Sequence, residues 1–230
     1  MSIAPRSGHR LALVVSTLTH GGAEVQVKTL ALALARRGWR TDLIVLREPE
    51  AFAVELATAG IPVHSLGVHS GASTPKALVR LVCLLRRIRP DVVHSHMRGA
   101  NILARIARPF ARPPVLVCTA HNLDENVSAR GIGAKADLSY RLTDRFCDLT
   151  TNVSRAAVER YVKTRAAPAH RIRYVPNGID LVRFAHDPGE RTKRRAGLGL
   201  GDRPTVLAVG RFHPQKNHDL LVRAFAVALG

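Results

Sequence analysis

The chain is short of acid. Seventeen Asp and Glu stand against 35 Lys and Arg in 230 residues, a formal charge of +18. That excess favours anionic partners, whether nucleic acid, lipid headgroups or phosphorylated small molecules, without choosing among them. Aromatic residues are scarce too, at 4%. Proteins that read nucleic acid by base stacking interleave aromatics with their cations, so no specific nucleic-acid role is expected. Only six of the cations are Lys, and the Arg residues are scattered through every segment, a habit of composition more than a built patch. Three widely spaced cysteines, Cys83, Cys118 and Cys147, exclude a disulfide framework and point to reduced thiols and a cytoplasmic address. No apolar run approaches the roughly 20 residues of a membrane span, and MSIAPRSGHR does not read as a signal peptide. Any membrane contact is therefore expected to be peripheral, on the inner face. No G-x-G-x-x-G follows the first apolar run, which disfavours a dinucleotide oxidoreductase.

What is present is a core: hydrophobic residues make up 46% of the chain. Leu11–Val15 is an unbroken apolar run, and short strand patterns alternate with helical ones throughout. Strands are predicted at Leu11–Val15, Asp42–Leu46, Pro62–Leu66, Val92–His96, Val115–Ala120, Asp148–Asn152 and Ile172–Val175. Between them, helices are predicted from the Gly21-Gly22 pair to Arg37, and over Ala51–Ala59, Pro75–Arg89, Asn101–Arg108, Ala134–Phe146 and Arg155–Lys163, the last capped by Ser154. Pro109–Pro114 reads as a break, Leu123–Ile132 as a mobile loop, and Asn177-Gly178 as a tight turn. The fold class is α/β, a Rossmann-like parallel sheet with helices on both faces. Ligands of such sheets sit beyond the carboxyl ends of the strands, where Gly21-Gly22, His94 to Arg98 and His121-Asn122 fall.

Each candidate has a plainer reading beside it. Gly21 and Gly22 let backbone approach a ligand, or merely serve a turn. His94 and His96 point the same way on one strand, and with His121 they suit zinc or, better, a polar substrate, since no carboxylate or cysteine stands at ligand spacing. The helix ending at Arg89 is basic and amphipathic, fit for anionic lipid or for an ordinary core. At the far end, Val206–Val209 reads as a strand, and a helix opens at Asn217. Arg211 and Lys216 flank that helix start, where free N–H groups and the dipole favour a diphosphate. A solvated turn with two ordinary cations is the alternative.

The order of landmarks resembles the family 4 retaining glycosyltransferases of the GT-B class. GGAE at Gly21–Glu24, VVHSHMRGANILARIA at Val92–Ala107, VLVCTAHN at Val115–Asn122, TNVSRAAVERYV at Thr151–Val162 and VPNGIDLVRF at Val175–Phe184 are similar to its first domain and crossover. VGRFHPQKNHDLLVRAF from Val209 is similar to the start of its second. The resemblance implies sugar transfer from a nucleoside-diphosphate sugar to a glycan or lipid-linked acceptor, with no cofactor and no required metal. It implies donor binding by Gly21, Gly22, Arg211 and Lys216, and a catalytic His121 beside the transferred sugar. His96, Asn122, Asn177 and Gly178 are acceptor-side or crossover candidates. The implied domains are 1–186, an acceptor-side Rossmann-like domain; 187–203, a linker; and 204–230, the truncated start of a second Rossmann-like, nucleotide-sugar domain. The family's pair of glutamates in that second domain is missing here, so the chain is expected to be a fragment, inactive alone. Two rivals stand on the residues themselves: a non-catalytic acceptor- or partner-binding module, and a basic protein that binds polyanions or an anionic membrane surface.

Overall fold

The computed structural model describes residues 8–121, 133–210, 212 and 216–229. The loop expected at 123–132 and the candidates Asn122 and Arg211 lie outside the described residues. The chain divides into two compact units, 1–178 and 179–230.

The first unit is one parallel sheet. Its strands are β1 (Arg10–Val15), β2 (Arg40–Val45), β3 (Val63–Ser65), β4 (Val92–His96), β5 (Val115–Ala120), β6 (Leu149–Asn152) and β7 (Ile172–Tyr174), in the order β3-β2-β1-β4-β5-β6-β7. Six helices connect them: α1 (Gly22–Arg36), α2 (Ala53–Thr58), α3 (Thr74–Ile88), α4 (Arg98–Ala111), α5 (Gly133–Thr143) and α6 (Arg155–Lys163). Alternation along β1 shows why both faces are covered, since successive side chains point to opposite sides of a strand. Leu11, Leu13 and Val15 pack with Val27 and Ala31 of α1 and Leu56 of α2. Ala12 and Val14 pack on the other face with Leu81 and Leu85 of α3 and Ala104 of α4. A parallel strand buried on both sides cannot afford a polar alternation, hence the continuous LALVV. Strand order reverses between β1 and β4, the switch point at which such sheets open a crevice beyond their carboxyl ends.

Helix α3 packs as a core helix, with Ala77, Leu81 and Leu85 buried. Two of its cations are engaged by backbone: Arg80 donates to the Leu66 carbonyl at 2.9 Å, and Arg86 donates twice to that of Phe110, at 3.1 and 2.9 Å. Helix α4 differs from expectation. It runs through Pro109 to Ala111 because a proline in the last turn forfeits one N–H bond while Ala104, Arg105 and Ala107 stay buried. Arg112 ends it in the left-handed region at φ 54°, with its N–H on the Arg108 carbonyl at 2.8 Å. The Asn177-Gly178 turn is likewise absent. Neither residue has positive φ, and Gly178 instead exchanges two hydrogen bonds with the side chain of Gln26 on α1. Its N–H donates to Oε1 at 3.0 Å and its carbonyl accepts from Nε2 at 2.8 Å. The amide thus pairs with the chain as a neighbouring strand would.

In the second unit, the stretch expected as a charged linker holds a helix, α7 (Pro188–Gly197). Asp187 caps it, Oδ1 accepting from the Glu190 N–H at 3.0 Å, and Pro188 supplies a preset φ where no N–H is needed. Val206–Val209 is not a strand: it finds no ladder partner among the described residues, and Leu207 and Val209 are exposed. Helix α8 (His218–Leu229) forms where expected, with Leu220, Val222, Phe225 and Val227 also exposed.

Candidate functional site

The carboxyl ends of β1, β4 and β5 carry a polar cluster within the first unit. After β1 the chain turns through Ser16–Gly21 into α1. Ser16 Oγ accepts from the Ala100 N–H at 2.9 Å, tying this loop to the start of α4. Gly99 makes that approach feasible, since a Cβ there would lie 3.0 Å from Ser16 Oγ. Thr17 and Thr19 hydroxyls donate to Glu24 Oε1, at 2.8 and 3.0 Å. Glu24 is buried in the first turn of α1, where a carboxylate also complements the helix dipole.

The two glycines differ in what they do. Gly21 has ordinary extended φ, and a Cβ on it would collide with the Glu24 carboxylate. It is glycine for room, and the room belongs to Glu24. Among the described residues a Cβ on Gly22 would meet no protein atom within 4 Å, and its φ is not in the left-handed region. Nothing in this chain demands glycine there.

Across the switch point, the parallel register sets His96 of β4 against Thr119 of β5, two residues before His121. His94 and His96 share a face, ring centroids 4.1 Å apart. His94 Nε2 bonds Thr119 Oγ1 at 2.7 Å, which bonds Thr151 Oγ1 at 2.7 Å. His96 Nδ1 and His121 Nε2 lie 3.1 Å apart, while His96 Nε2 is buried without a partner among the described residues. Burial pushes His94 down to about 4, helped by the like charge of His121. His96 is held well below its ordinary value by burial, then by His94 and His121. His121 is lowered by burial, against the opposing pull of the Glu24 carboxylate. At neutral pH the trio is uncharged. Among the described residues no group of three or more His, Cys, Asp or Glu is arranged to hold a metal ion.

Below the cluster, on the opposite face of β4, Ser95 Oγ donates to Asn101 Oδ1 at 2.8 Å, and Asn101 Nδ2 donates to the Thr119 carbonyl and to the Tyr140 hydroxyl, each at 3.0 Å. Arg105, one turn along α4, is 0% exposed. It reaches Thr150 Oγ1 at 2.7 Å, the Tyr140 carbonyl at 3.2 Å and Cys118 Sγ at 3.4 Å. No carboxylate pairs with it among the described residues. Beside the cluster, a cavity of about 780 Å³ is lined by Ser16, Leu46, Arg47, Arg98, Ile102 and Ile106 among others.

The structure therefore places Gly21, Gly22, His96 and His121 at the carboxyl ends of the adjacent strands β1, β4 and β5, His96 bonded to His121 and Glu24 bearing on His121. Gly178 joins α1 one turn farther on through Gln26, and Asn177 is exposed beside it. Lys216 belongs to the second unit, its stem packed 3.3 Å from where a Cβ of Gly210 would stand, directly ahead of α8. Sequence reasoning missed Glu24 and Gln26. Their signal was available: a carboxylate and an amide three and five residues after a glycine N-cap, on the same helix start.

A profile of Glycosyltransferase Family 4 matches residues 20–183. A D-inositol 3-phosphate glycosyltransferase of Rhodococcus jostii is 34% identical over 232 residues, covering 90% of this chain and 49% of its own length. A GDP-mannose-dependent alpha-(1-6)-phosphatidylinositol monomannoside mannosyltransferase of Mycolicibacterium smegmatis is 42% identical over 71 residues, 29% of this chain and 19% of that protein. Among solved structures, HepE from Anabaena in complex with UDP-glucose matches with a TM-score of 0.78 at 21% identity, over 94% of this chain and 57% of that one. Sucrose-phosphate synthase from Thermosynechococcus elongatus matches at 0.75 and 21%, over 95% and 59%. Those likenesses show the fold, the Rossmann-like architecture of GT-B glycosyltransferases. The chain spans about half the length of the curated relatives it matches over most of its own. The profile runs from the residue before the Gly-Gly pair, through the histidine cluster, to just past the Gln26–Gly178 bonds, and on that ground the chain belongs to glycosyltransferase family 4.

Proposed function

We propose that this chain is the acceptor-side part of a retaining glycosyltransferase that takes a sugar from a nucleoside-diphosphate donor. The observation that carries the reading is Gly22. Among the described residues no internal contact requires a glycine there, nor does the backbone angle, yet it opens α1 at the switch point, where free N–H groups favour phosphate. A donor's diphosphate passing close to the backbone accounts for it. His121 then stands beside the transferred sugar, and Arg211 and Lys216, at the start of the nucleotide-sugar domain, neutralise the leaving diphosphate without a metal. The cavity over α4 takes the acceptor: Leu46, Ile102 and Ile106 offer an apolar wall, and Arg47 and Arg98, which pair with no carboxylate among the described residues, suit an anionic group on it. The phosphorylated inositol acceptor in the name of the Rhodococcus relative, and the UDP-glucose in the HepE complex, fit that chemistry. The exposed apolar residues of α8 are proposed to pack against further parts of the nucleotide-sugar domain.

Calorimetry of the 230-residue chain with UDP-glucose and GDP-mannose tests this. Saturable binding without detectable transfer is expected, weakened at least 10-fold by Gly22→Val, with a melting temperature shifted by no more than about 4 °C because a Cβ at that position meets none of the described residues within 4 Å. Equal affinity in both proteins would remove the diphosphate from Gly22. Binding that any polyanion reproduces, with a steep salt dependence and no response to Gly22→Val, would favour the basic-surface reading instead.

A further inference from the structure

Two imidazole rings joined by one N···N hydrogen bond share one proton along it, and the partners left over decide which ring gives it. In this pair His96 Nδ1 faces His121 Nε2 at 3.1 Å. His96 is 4% exposed, and its second nitrogen, Nε2, is buried with no partner among the described residues. If His121 donated through Nε2, His96 would have to carry its own proton on that orphaned nitrogen, burying an unmet N–H. If His96 donates through Nδ1, the orphan is only a lone pair. Buried donors without acceptors are the rarer and costlier fault. Both rings are neutral at pH 7, as burial dictates, so no third arrangement with a shared positive charge competes.

We infer that His96 is a positioning residue that donates Nδ1–H to His121 Nε2, fixing His121 as the Nδ1–H tautomer. The packing supports the same assignment. The His94 ring lies 4.1 Å from that of His96, and its own Nε2 is tied to the Thr119–Thr151 hydroxyl pair. The Nδ1 of His96 therefore cannot swing from its partner without displacing a hydrogen-bonded neighbour. Glu24, the carboxylate that bears on His121, is itself held by two threonine hydroxyls. The consequence concerns chemistry at His121, and this last step rests on the function proposed above. With its Nε2 lone pair committed inward, the ring offers an N–H to an oxygen of sugar or phosphate and is not available as a base. It stabilises developing negative charge by donation, and His96 sets that polarity without touching the substrate.

The test is the long-range 1H–15N spectrum of the 15N-histidine-labelled chain at pH 7.5, with no nucleotide sugar present. His121 is expected to show a protonated, pyrrole-type Nδ1 and a bare, pyridine-type Nε2. His96→Leu removes the donor and is expected to exchange the two, returning His121 to the Nε2–H tautomer that free histidine prefers. His96→Asn, whose amide places an N–H near the lost Nδ1–H, is expected to retain the wild-type pattern. A protonated Nε2 on His121 in the wild-type spectrum would overturn the assignment, and so would an unchanged His121 in a folded His96→Leu chain. Should the leucine variant fail to fold, the wild-type spectrum decides alone. The spectrum is read without a donor, so a Nδ1–H His121 in a chain that binds no nucleotide sugar would refute the proposed function and leave this inference standing.

Discussion

Arg105→Ala is expected to lower the stability of the first unit by about 3–5 kcal/mol, the range for removing one member of a buried, hydrogen-bonded charge network. For a chain of this size that is roughly 6–20 °C in melting temperature. The guanidinium is wholly buried on α4 and binds Thr150 of β6, the carbonyl of Tyr140 on α5 and the sulfur of Cys118 on β5. It also lies 4.9 Å from the centre of the Tyr140 ring. One planar fork thus holds together four elements that the backbone brings in at different points. Alanine would leave a cavity where it lay and remove at once the donors to Thr150 Oγ1, the Tyr140 carbonyl and Cys118 Sγ, two costs that add. With no carboxylate to balance it among the described residues, the charge leans on sulfur. Burial pushes the Cys118 thiol up, but hydrogen bonding from Cys147 and the adjacent guanidinium outweigh it, so its net shift is downward. Arg105→Met separates volume from charge. It fills most of the space and should cost only about 1–3 kcal/mol, the penalty of the hydrogen bonds lost from the guanidinium. Chemical denaturation of the three proteins gives the order; a methionine variant as stable as wild type would mean that the guanidinium contributes packing alone.

The same residue marks the limit of what the sequence tells. The strands at Val92–His96 and Val115–Ala120 are legible to the residue, because short runs that open on valines just after Pro90 and Pro113-Pro114, and close ahead of the next helical pattern or polar loop, admit little else. The Ser154 cap and the helix after it are legible for a similar reason: a hydroxyl ahead of a helical pattern has few other uses, and its Oγ accepts from the Ala157 N–H at 3.4 Å. Charged side chains on buried faces are not legible. Arg105 and Glu24 look like surface residues on amphipathic helices until the partners that satisfy them are seen, and those partners come from other strands and loops. Long-range pairing is hidden for the same reason. Gly178 reads as half of an Asn-Gly turn because the alternative, an amide 152 residues earlier, leaves no local trace. Val206–Val209 fails in the opposite sense: its composition says strand, but a strand is a relation between segments, and no second segment is paired with it among the described residues.

The histidine cluster should make the fold acid-labile well before the carboxylates titrate. His94 is pushed down to about 4 by burial, whereas in the unfolded chain it takes its proton near 6.5. His96 is lowered in the same sense. Between those values the unfolded state binds protons that the folded state refuses, so stability rises with pH across the window and falls as pH drops through it. Full stability is present above about pH 6.5, and the contribution of His94 is lost by about pH 4. At 1.36 kcal/mol per unit, that residue alone accounts for roughly 3 kcal/mol, a large share of the 5–15 kcal/mol that holds a typical domain together. The upper half of the window, from about pH 6.5 to 5, is the diagnostic part, because ordinary carboxylates are still ionised there. Urea midpoints measured at pH 7.5, 6.5, 5.5 and 4.5 are expected to fall steadily. His94→Gln isolates the cause, since the amide can still reach the Thr119 hydroxyl that His94 Nε2 now binds at 2.7 Å but takes up no proton. Its midpoints should fall less steeply over the same interval, by about the share assigned to His94. A wild-type chain whose midpoint stays flat from pH 6.5 to 4.5 would show that the trio opens to water and that burial does not hold His94 down.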